Sequence, residues 1–264
     1  MDHIIDFLRD DPRTLIQASL VSRAWVGRTR THFCESLKIT SFKFIFSNPS
    51  YLKPLCGYVK TLHLTWPRVS IDPSPVFDCF EHSTPHTLVI HSCKLQAIGE
   101  RMIQRYFEKF PCASITTLEL REVSLTRQTL LIVLSLFPNV DDSTISVNRY
   151  WEDEQDVGRF GDSEHETTRC PSPPCLRGRF KFFDPPGHGS STDFNREKLL
   201  RAIATLQPQF QIVSLDIREQ SWEEISAFLR SCSKTVRMVF VGLPCRKFQP
   251  CILSKVPRTQ YTNV

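Results

Sequence analysis

The chain has 264 residues, of which 41% are hydrophobic and 23% charged, with a formal net charge of +5. This composition is ordinary for a globular protein and excludes wholesale disorder. The longest apolar run, from Leu130 to Phe137, is far shorter than the roughly 20 residues that span a bilayer. No basic start followed by an apolar stretch indicates a signal peptide, so we expect a cytoplasmic or nuclear protein.

The first 33 residues predict three helices with a break after the first. Ile4, Ile5 and Leu8 form one apolar stripe at helical spacing. Asp11 is placed to cap the second helix, and Pro12 suits its first position because proline there loses no hydrogen bond. We therefore predict a second helix from Pro12 to about Trp25.

This second helix is apolar on two sides. One side carries Leu15, Ala18, Val21 and Trp25, and the other carries Ile16, Leu20 and Ala24. A helix of this kind is buried over most of its circumference, and a module of fewer than about 40 residues rarely closes a core alone. We therefore expect cover from the following domain or from a second protein.

The segment that ends in Val21-Ser22-Arg23-Ala24-Trp25 resembles an F-box, in which two helices precede a Val-Cys/Ser-basic-x-Trp signature. The chain is similar in particular to fungal F-box proteins with leucine-rich-repeat-like C-terminal regions. The resemblance implies docking on the Skp adaptor of a Skp–cullin–F-box ubiquitin ligase, while the rest of the chain captures a target protein. It implies adaptor contacts from Ile4, Ile5, Leu8, Leu15, Leu20 and Val21. It also implies that Trp25 anchors the packing of the helices themselves.

The family usually opens with a Leu-Pro-x-Glu stretch that touches the adaptor. This sequence starts at Met1, inside the family's pattern. The resemblance therefore implies either a truncated module or a weakened affinity for the adaptor. The alternative is that the helices only shield the first repeat of a stand-alone protein-binding scaffold.

From Tyr58 onward, short apolar strands alternate with helical segments. Several strands fit an apolar-x-x-apolar-x-apolar pattern, such as Ile115, Leu118 and Leu120, or Ile212, Leu215 and Ile217. The predicted anchor positions are Leu62, Leu88, Leu118, Ser143, Phe180, Leu215 and Val239. Their spacing is looser than the roughly 20–29 residues of regular leucine-rich repeats.

Helical segments are predicted between these strands, over 96–110, 126–137 and 195–206, and after a Ser-x-x-Glu capping box at Ser221. Strand and helix in alternation imply parallel strands with right-handed crossovers. The expected body is an irregular, curved α/β solenoid whose strands line one concave face.

The predicted fold class is thus α/β, with a short three-helix module followed by a leucine-rich-repeat-like solenoid. We place the F-box-like module at 1–40, a linker or first repeat at 41–57, and the solenoid at 58–245. The solenoid contains a loop-rich insertion at 152–193, which begins with an acidic run, and a basic tail follows at 246–264. The insertion is interpreted as a surface excursion, with a substrate-contacting or phosphorylated loop as the alternative.

No motif for catalysis, a cofactor or a metal rises above background, so we expect a non-catalytic protein. The ten cysteines are expected to be free thiols. A zinc set of Cys170, Cys175, His165 and His188 is disfavoured because its spacing departs from paired ligands. The cations of the tail suit phosphates, but without a docking motif they predict a solvated surface rather than a nucleic-acid site.

Overall fold

The structure is a computed structural model. It describes residues 2–40, 52–65, 72–95, 98, 100–151, 176–183, 196–206, 208–216, 222–232, 234–242 and 260–261. Within these residues the chain has helices and a single parallel sheet. The predicted α/β class is therefore confirmed.

Three helices open the chain: α1 (Asp2–Phe7), α2 (Pro12–Val21) and α3 (Arg23–Cys34). Asp11 caps α2 as predicted, since its carboxylate accepts hydrogen bonds from the backbone N–H groups of Arg13 and Thr14. The predicted end of α2 near Trp25 is wrong. Ser22 has extended backbone, and its hydroxyl accepts a hydrogen bond from Ala24 N–H, so it starts a new helix instead of continuing the old one.

The strands of the sheet follow one another in space in the same order as in the sequence. They are β1 (Ser36–Ile39), β2 (Thr61–Thr65), β3 (Thr87–His91), β4 (Thr117–Thr126), β5 (Asp142–Trp151), β6 (Arg177–Phe183), β7 (Gln209–Asp216), β8 (Met238–Gly242) and the two-residue β9 (Gln260–Tyr261). Every neighbouring pair is parallel. The sheet begins at Ser36, directly after α3 and ahead of the boundary that the sequence predicts at Tyr58.

Helices lie between the strands in sequence. They are α4 (Lys53–Cys56), α5 (Ser74–Asp78), α6 (Glu100–Tyr106), α7 (Arg127–Leu136), α8 (Arg196–Thr205) and α9 (Trp222–Cys232), with a 3-10 turn at Cys112–Ser114. Thr126 caps α7 by accepting from Thr129 N–H. None of the described helices is long and apolar enough to cross a membrane.

One face of the sheet carries the main hydrophobic core. A continuous row across it consists of Leu62, Leu88, Leu118, Ser143, Phe180, Val213 and Val239. These residues are buried, and the apolar ones apart from Val239 belong to one cluster with side chains from α5 to α9. Six of the seven predicted anchors therefore stand in one register. The helices cover this face, and alternate residues form the opposite one.

The remaining anchor, Leu215, is wrong by two residues. Val213, not Leu215, aligns with Phe180, and Ile212 lies on the opposite face. The reason is a register shift between Gly178 and Arg179, which moves β7 relative to β6. Phe210, Val213 and Leu215 are the buried set on β7. They fit the same apolar-x-x-apolar-x-apolar spacing.

The first strands of the sheet begin in the same way. The carbonyl oxygen of Glu35 accepts hydrogen bonds from the two consecutive N–H groups of Lys60 and Thr61. The carbonyls of Lys60, His86 and Thr116 repeat this arrangement on the next three strands. The recurrence means that the strand–helix units share a local geometry as well as a hydrophobic pattern.

Candidate docking surface and open sheet face

The three N-terminal helices have a small core of their own, separate from the main core. It consists of Ile5, Leu15 and Ala18, with Leu8 and Trp25 packed against it. Ile5 is 0% exposed and Leu15 is 1% exposed. These two residues therefore hold the helices together, and Trp25 contributes to the same packing.

Other apolar residues of these helices face solvent. Leu20 is 82% exposed, Val21 is 73% exposed and Ile16 is 50% exposed, while Phe7 and Phe33 are exposed as well. No residue beyond Tyr58 in the described part of the chain buries Ile16, Leu20 or Val21. Large apolar side chains grouped in this way on a small unit mark a surface suited to a protein partner.

A groove of about 290 Å³ runs between α2 and α3. Its lining is mainly apolar and consists of Leu15, Ile16, Ser19, Leu20, Val26, Thr29, Arg30 and Phe33. Ser19 donates to the carbonyl of Ile16, and Thr29 donates to carbonyls of its own helix. These hydroxyls are satisfied inside the helices, so the groove offers a partner apolar contact with one cation, Arg30, at its wall.

The residues predicted to touch an adaptor thus divide into two groups. Leu20 and Val21 lie on the surface, whereas Ile5 and Leu15 are buried and Leu8 packs on that core. The predicted direct contact of Ile5 with the adaptor is therefore wrong, and Ile5 instead supports the surface from inside the core. Leu15 lines the floor of the groove from the core side. The side chain of Ile4 lies outside the described residues. Phe33, which lies near the end of α3, was not identified from the sequence, because the apolar pattern was followed only as far as Trp25.

Charged contacts join the first of these helices to the third. Arg28 donates two hydrogen bonds to Asp6 (Nε to Oδ1, 2.7 Å; Nη2 to Oδ2, 2.9 Å), and Nε2 of His32 lies 2.6 Å from Asp6 Oδ1. The hydrogen bonds from Arg28, followed by those from His32, hold the pKa of Asp6 far below its ordinary value of 3.8. This cluster clamps α1 onto α3.

A second charged cluster connects the helices to the sheet. Glu35 accepts from Arg9 Nη2 at 2.7 Å and from Lys60 Nζ at 3.0 Å. The hydrogen bond from Lys60 is the main cause of the lowered pKa of Glu35. Glu35 therefore links Arg9, which follows α1, to Lys60, which directly precedes β2.

The open face of the sheet, formed by the residues that alternate with the buried rows, is polar and charged. Arg121 donates to Glu119 (Nε to Oε2, 2.7 Å), and Arg179 Nη1 lies 3.6 Å from Asp142 Oδ2. Desolvation raises the pKa of Asp142 despite Arg179, and desolvation likewise lowers the pKa of His63. Such a face has fixed charges of both signs for a ligand to match.

Two residues with left-handed backbone lie on neighbouring segments of the chain: Ser92 directly follows β3, and Glu122 lies within β4. Ser92 and Glu122 both have φ of 53°. The Ser92 hydroxyl lies 2.9 Å from His91 Nδ1, and Glu122 Oε2 lies 3.4 Å from His91 Nε2. Non-glycine residues in this conformation store backbone strain. No sequence pattern indicates this corner, because neither position is a glycine.

Several residues singled out in the sequence lie outside the described residues. These are the cysteines and histidines of the disfavoured zinc set, the cations of the basic tail, and most of the insertion. The described cysteines, namely Cys34, Cys56, Cys79, Cys93, Cys112 and Cys232, are free, as expected. Among the described residues no group of three or more potential ligands is arranged to hold a metal ion.

Comparison with models of protein families, with curated proteins and with solved structures finds no match to this chain. The contacts of the helices and of the open sheet face are accordingly the basis on which a function can be assigned.

Proposed function

We propose that this chain is a non-catalytic substrate receptor of a Skp–cullin–F-box ubiquitin ligase. Its N-terminal helices dock on the Skp adaptor, and its repeat domain holds a target protein. It acts by bringing the target close to the ligase and makes no bond itself.

The observation that carries this proposal is the exposure of Leu20 and Val21 beside the apolar groove. Both residues belong to the part of the sequence that resembles an F-box, immediately before Ser22. Full burial of each large aliphatic side chain by a partner is worth roughly 1.5–3 kcal/mol. Because the helices already have their own core in Ile5, Leu15 and Ala18, this surface is not needed to fold them.

The sheet supports the second half of the proposal. Each described strand pairs with the strands next to it in sequence, which is the organisation of a repeat solenoid. We interpret the body as an irregular leucine-rich-repeat-like solenoid in which the helices cover one face. The other face then remains available to a target protein.

The test is a pull-down with purified Skp adaptor, comparing wild type with the double variant Leu20→Asp/Val21→Asp. The control is Gln17→Asp/Gly27→Asp, which adds the same charge at exposed positions outside the groove lining. We expect wild type and control to retain the adaptor and the double variant to lose it. Equal binding by all three, or binding by none, contradicts the proposal.

One contact favours a second candidate, a stand-alone repeat scaffold whose helices only cap the sheet. Glu35 forms ion pairs with both Arg9 and Lys60. It is also the one residue between the end of α3 at Cys34 and the start of β1 at Ser36. Deleting residues 2–34 separates the two candidates. If the helices only cap the sheet, the shortened protein should be insoluble or should unfold without cooperativity. If they are a docking module, the shortened protein should keep a folded sheet but no longer retain the adaptor.

A further inference from the structure

The strand β6 presents a row of cations on the open face of the sheet. Arg177, Arg179 and Lys181 are exposed and alternate with the buried Phe180 and Phe182. Nζ of Lys181 lies 5.9 Å from the centre of the Phe183 ring, and no described carboxylate forms an ion pair with it. This row, Arg177, Arg179 and Lys181, is called the basic stripe.

The two strands that follow carry apolar side chains on the same face. Ile212 of β7 aligns with Arg179, and Met238 of β8 aligns with Ile212. Phe240 occupies the corresponding position two strands from Lys181. All three apolar residues are half-buried, and they form what is called the apolar patch, Ile212, Met238 and Phe240.

The spacing of the stripe and the patch selects one kind of ligand. Neighbouring strands lie about 4.8 Å apart, so Lys181 on β6 and Phe240 on β8 are separated by roughly 10 Å, about the length of three residues of extended peptide, and Ile212 on β7 lies between the two strands. We propose that the open face between β6 and β8 binds an extended segment of a target protein in which an acidic residue is followed, three residues later, by a large apolar one. This assignment rests on the proposed role of the chain as a substrate receptor.

The surrounding charges favour a peptide over a nucleic acid. Glu119 and Asp142 stand on the same face as the basic stripe, and each already contacts an arginine. The backbone of a nucleic acid carries a negative charge at every nucleotide, so it would be repelled by these carboxylates. A peptide can place its negative charge at one position. The apolar patch also has no counterpart in a phosphate contact.

Binding is measured with the full chain, without adaptor, by fluorescence anisotropy of a labelled peptide. The peptide carries two adjacent glutamates, and a leucine stands three residues after the second, in a serine and glycine background. We expect Lys181→Glu to weaken binding by roughly two- to fivefold, the size of one exposed charge pair. The matched control, Arg127→Glu, reverses an exposed charge at the start of α7 and leaves binding unchanged.

Two changes in the peptide test the same geometry without any risk to folding. Replacing the glutamates with glutamines abolishes the difference between wild type and Lys181→Glu, and moving the leucine two residues further from the glutamates weakens the binding of both proteins. Phe240→Thr weakens binding of the original peptide but not of the one with the displaced leucine. Equal binding of all three peptides overturns the proposal.

The chain's own acidic run, from Glu152 to Glu166, is the competing occupant. If the peptide binds only after the acidic residues of this run are replaced by their amides, the assignment to a target protein is overturned. The run itself is then the ligand of the basic stripe. Adaptor retention by Lys181→Glu is measured in parallel. If wild type binds the peptide but does not retain the adaptor, the ligase role is refuted and the peptide site is not.

Discussion

The guanidinium of Arg28 and the carboxylate of Asp6 form a two-bonded ion pair that links helices across 22 positions in sequence. The pair holds the pKa of Asp6 far below its ordinary value of 3.8. The carboxylate of Asp6 therefore binds a proton less readily in the folded state than in the unfolded state. The stabilisation is fully present above about pH 4 and is lost progressively as the pH falls below the ordinary value.

This linkage predicts that the N-terminal helices are sensitive to acid. As the pH falls from about 5 to 2, the hydrogen-exchange protection factors of α1 amides should decrease more in wild type than in Asp6→Asn, which has no carboxyl group to titrate at this position. At neutral pH, Asp6→Asn should be the less protected of the two. Arg28→Gln should show the same two trends. Identical pH profiles for wild type and Asp6→Asn would refute the clamp.

Gly178 is required by the backbone. Its φ is +66°, and a Cβ at this position would lie 2.1 Å from the carbonyl oxygen of Asp141. Gly178→Ala should therefore lower the free energy of unfolding by at least about 2 kcal/mol. Gly27→Ala is the control, because an added methyl group there would meet nothing within 4 Å and α3 gains up to about 1 kcal/mol. Urea denaturation measures both changes.

Leu15 and Leu20 belong to the same helix but have opposite environments. Leu15→Ala opens a cavity in the small core of the helices and should cost about 2–5 kcal/mol. Leu20→Ala removes a side chain that is mostly in water and should change stability by less than about 0.5 kcal/mol. Protection of α2 amides from hydrogen exchange distinguishes the two. A large loss of protection in Leu20→Ala would mean that Leu20 is buried in solution.

Ser146 is fully buried, and no described group forms a hydrogen bond with its hydroxyl. Burying an unpaired hydroxyl costs about 1–3 kcal/mol, so Ser146→Ala should raise the free energy of unfolding by about 1 kcal/mol. Ser83→Ala is the comparison, since the Ser83 hydroxyl donates to Phe80 at 2.8 Å. That variant should lose about 1 kcal/mol. Destabilisation of similar size in both variants would point to a partner for Ser146.

Local patterns in the sequence were sufficient for much of the fold. The cap at Asp11 and Pro12 depends only on neighbouring residues, and it appears as predicted. Anchors such as Leu62 and Leu118 align across the sheet because a strand buried on one face must repeat its apolar residues with period two. The predicted register was wrong at Leu215, because the pairing of β6 with β7 shifts between Gly178 and Arg179, and local periodicity does not show how two strands pair.

The sequence by itself determined that α2 has more apolar surface than a small unit can hide. Only the tertiary structure decided which part of that surface is hidden, because the answer depends on where α1 and α3 pack. Asp6 and Arg28 hold α1 against α3, where Ile5 of α1 packs with Leu15 of α2, and Leu20 and Val21 remain in water. Composition and periodicity describe a single helix at a time. They carry no information about which of its sides will be buried by a neighbouring helix that a distant ion pair holds in place.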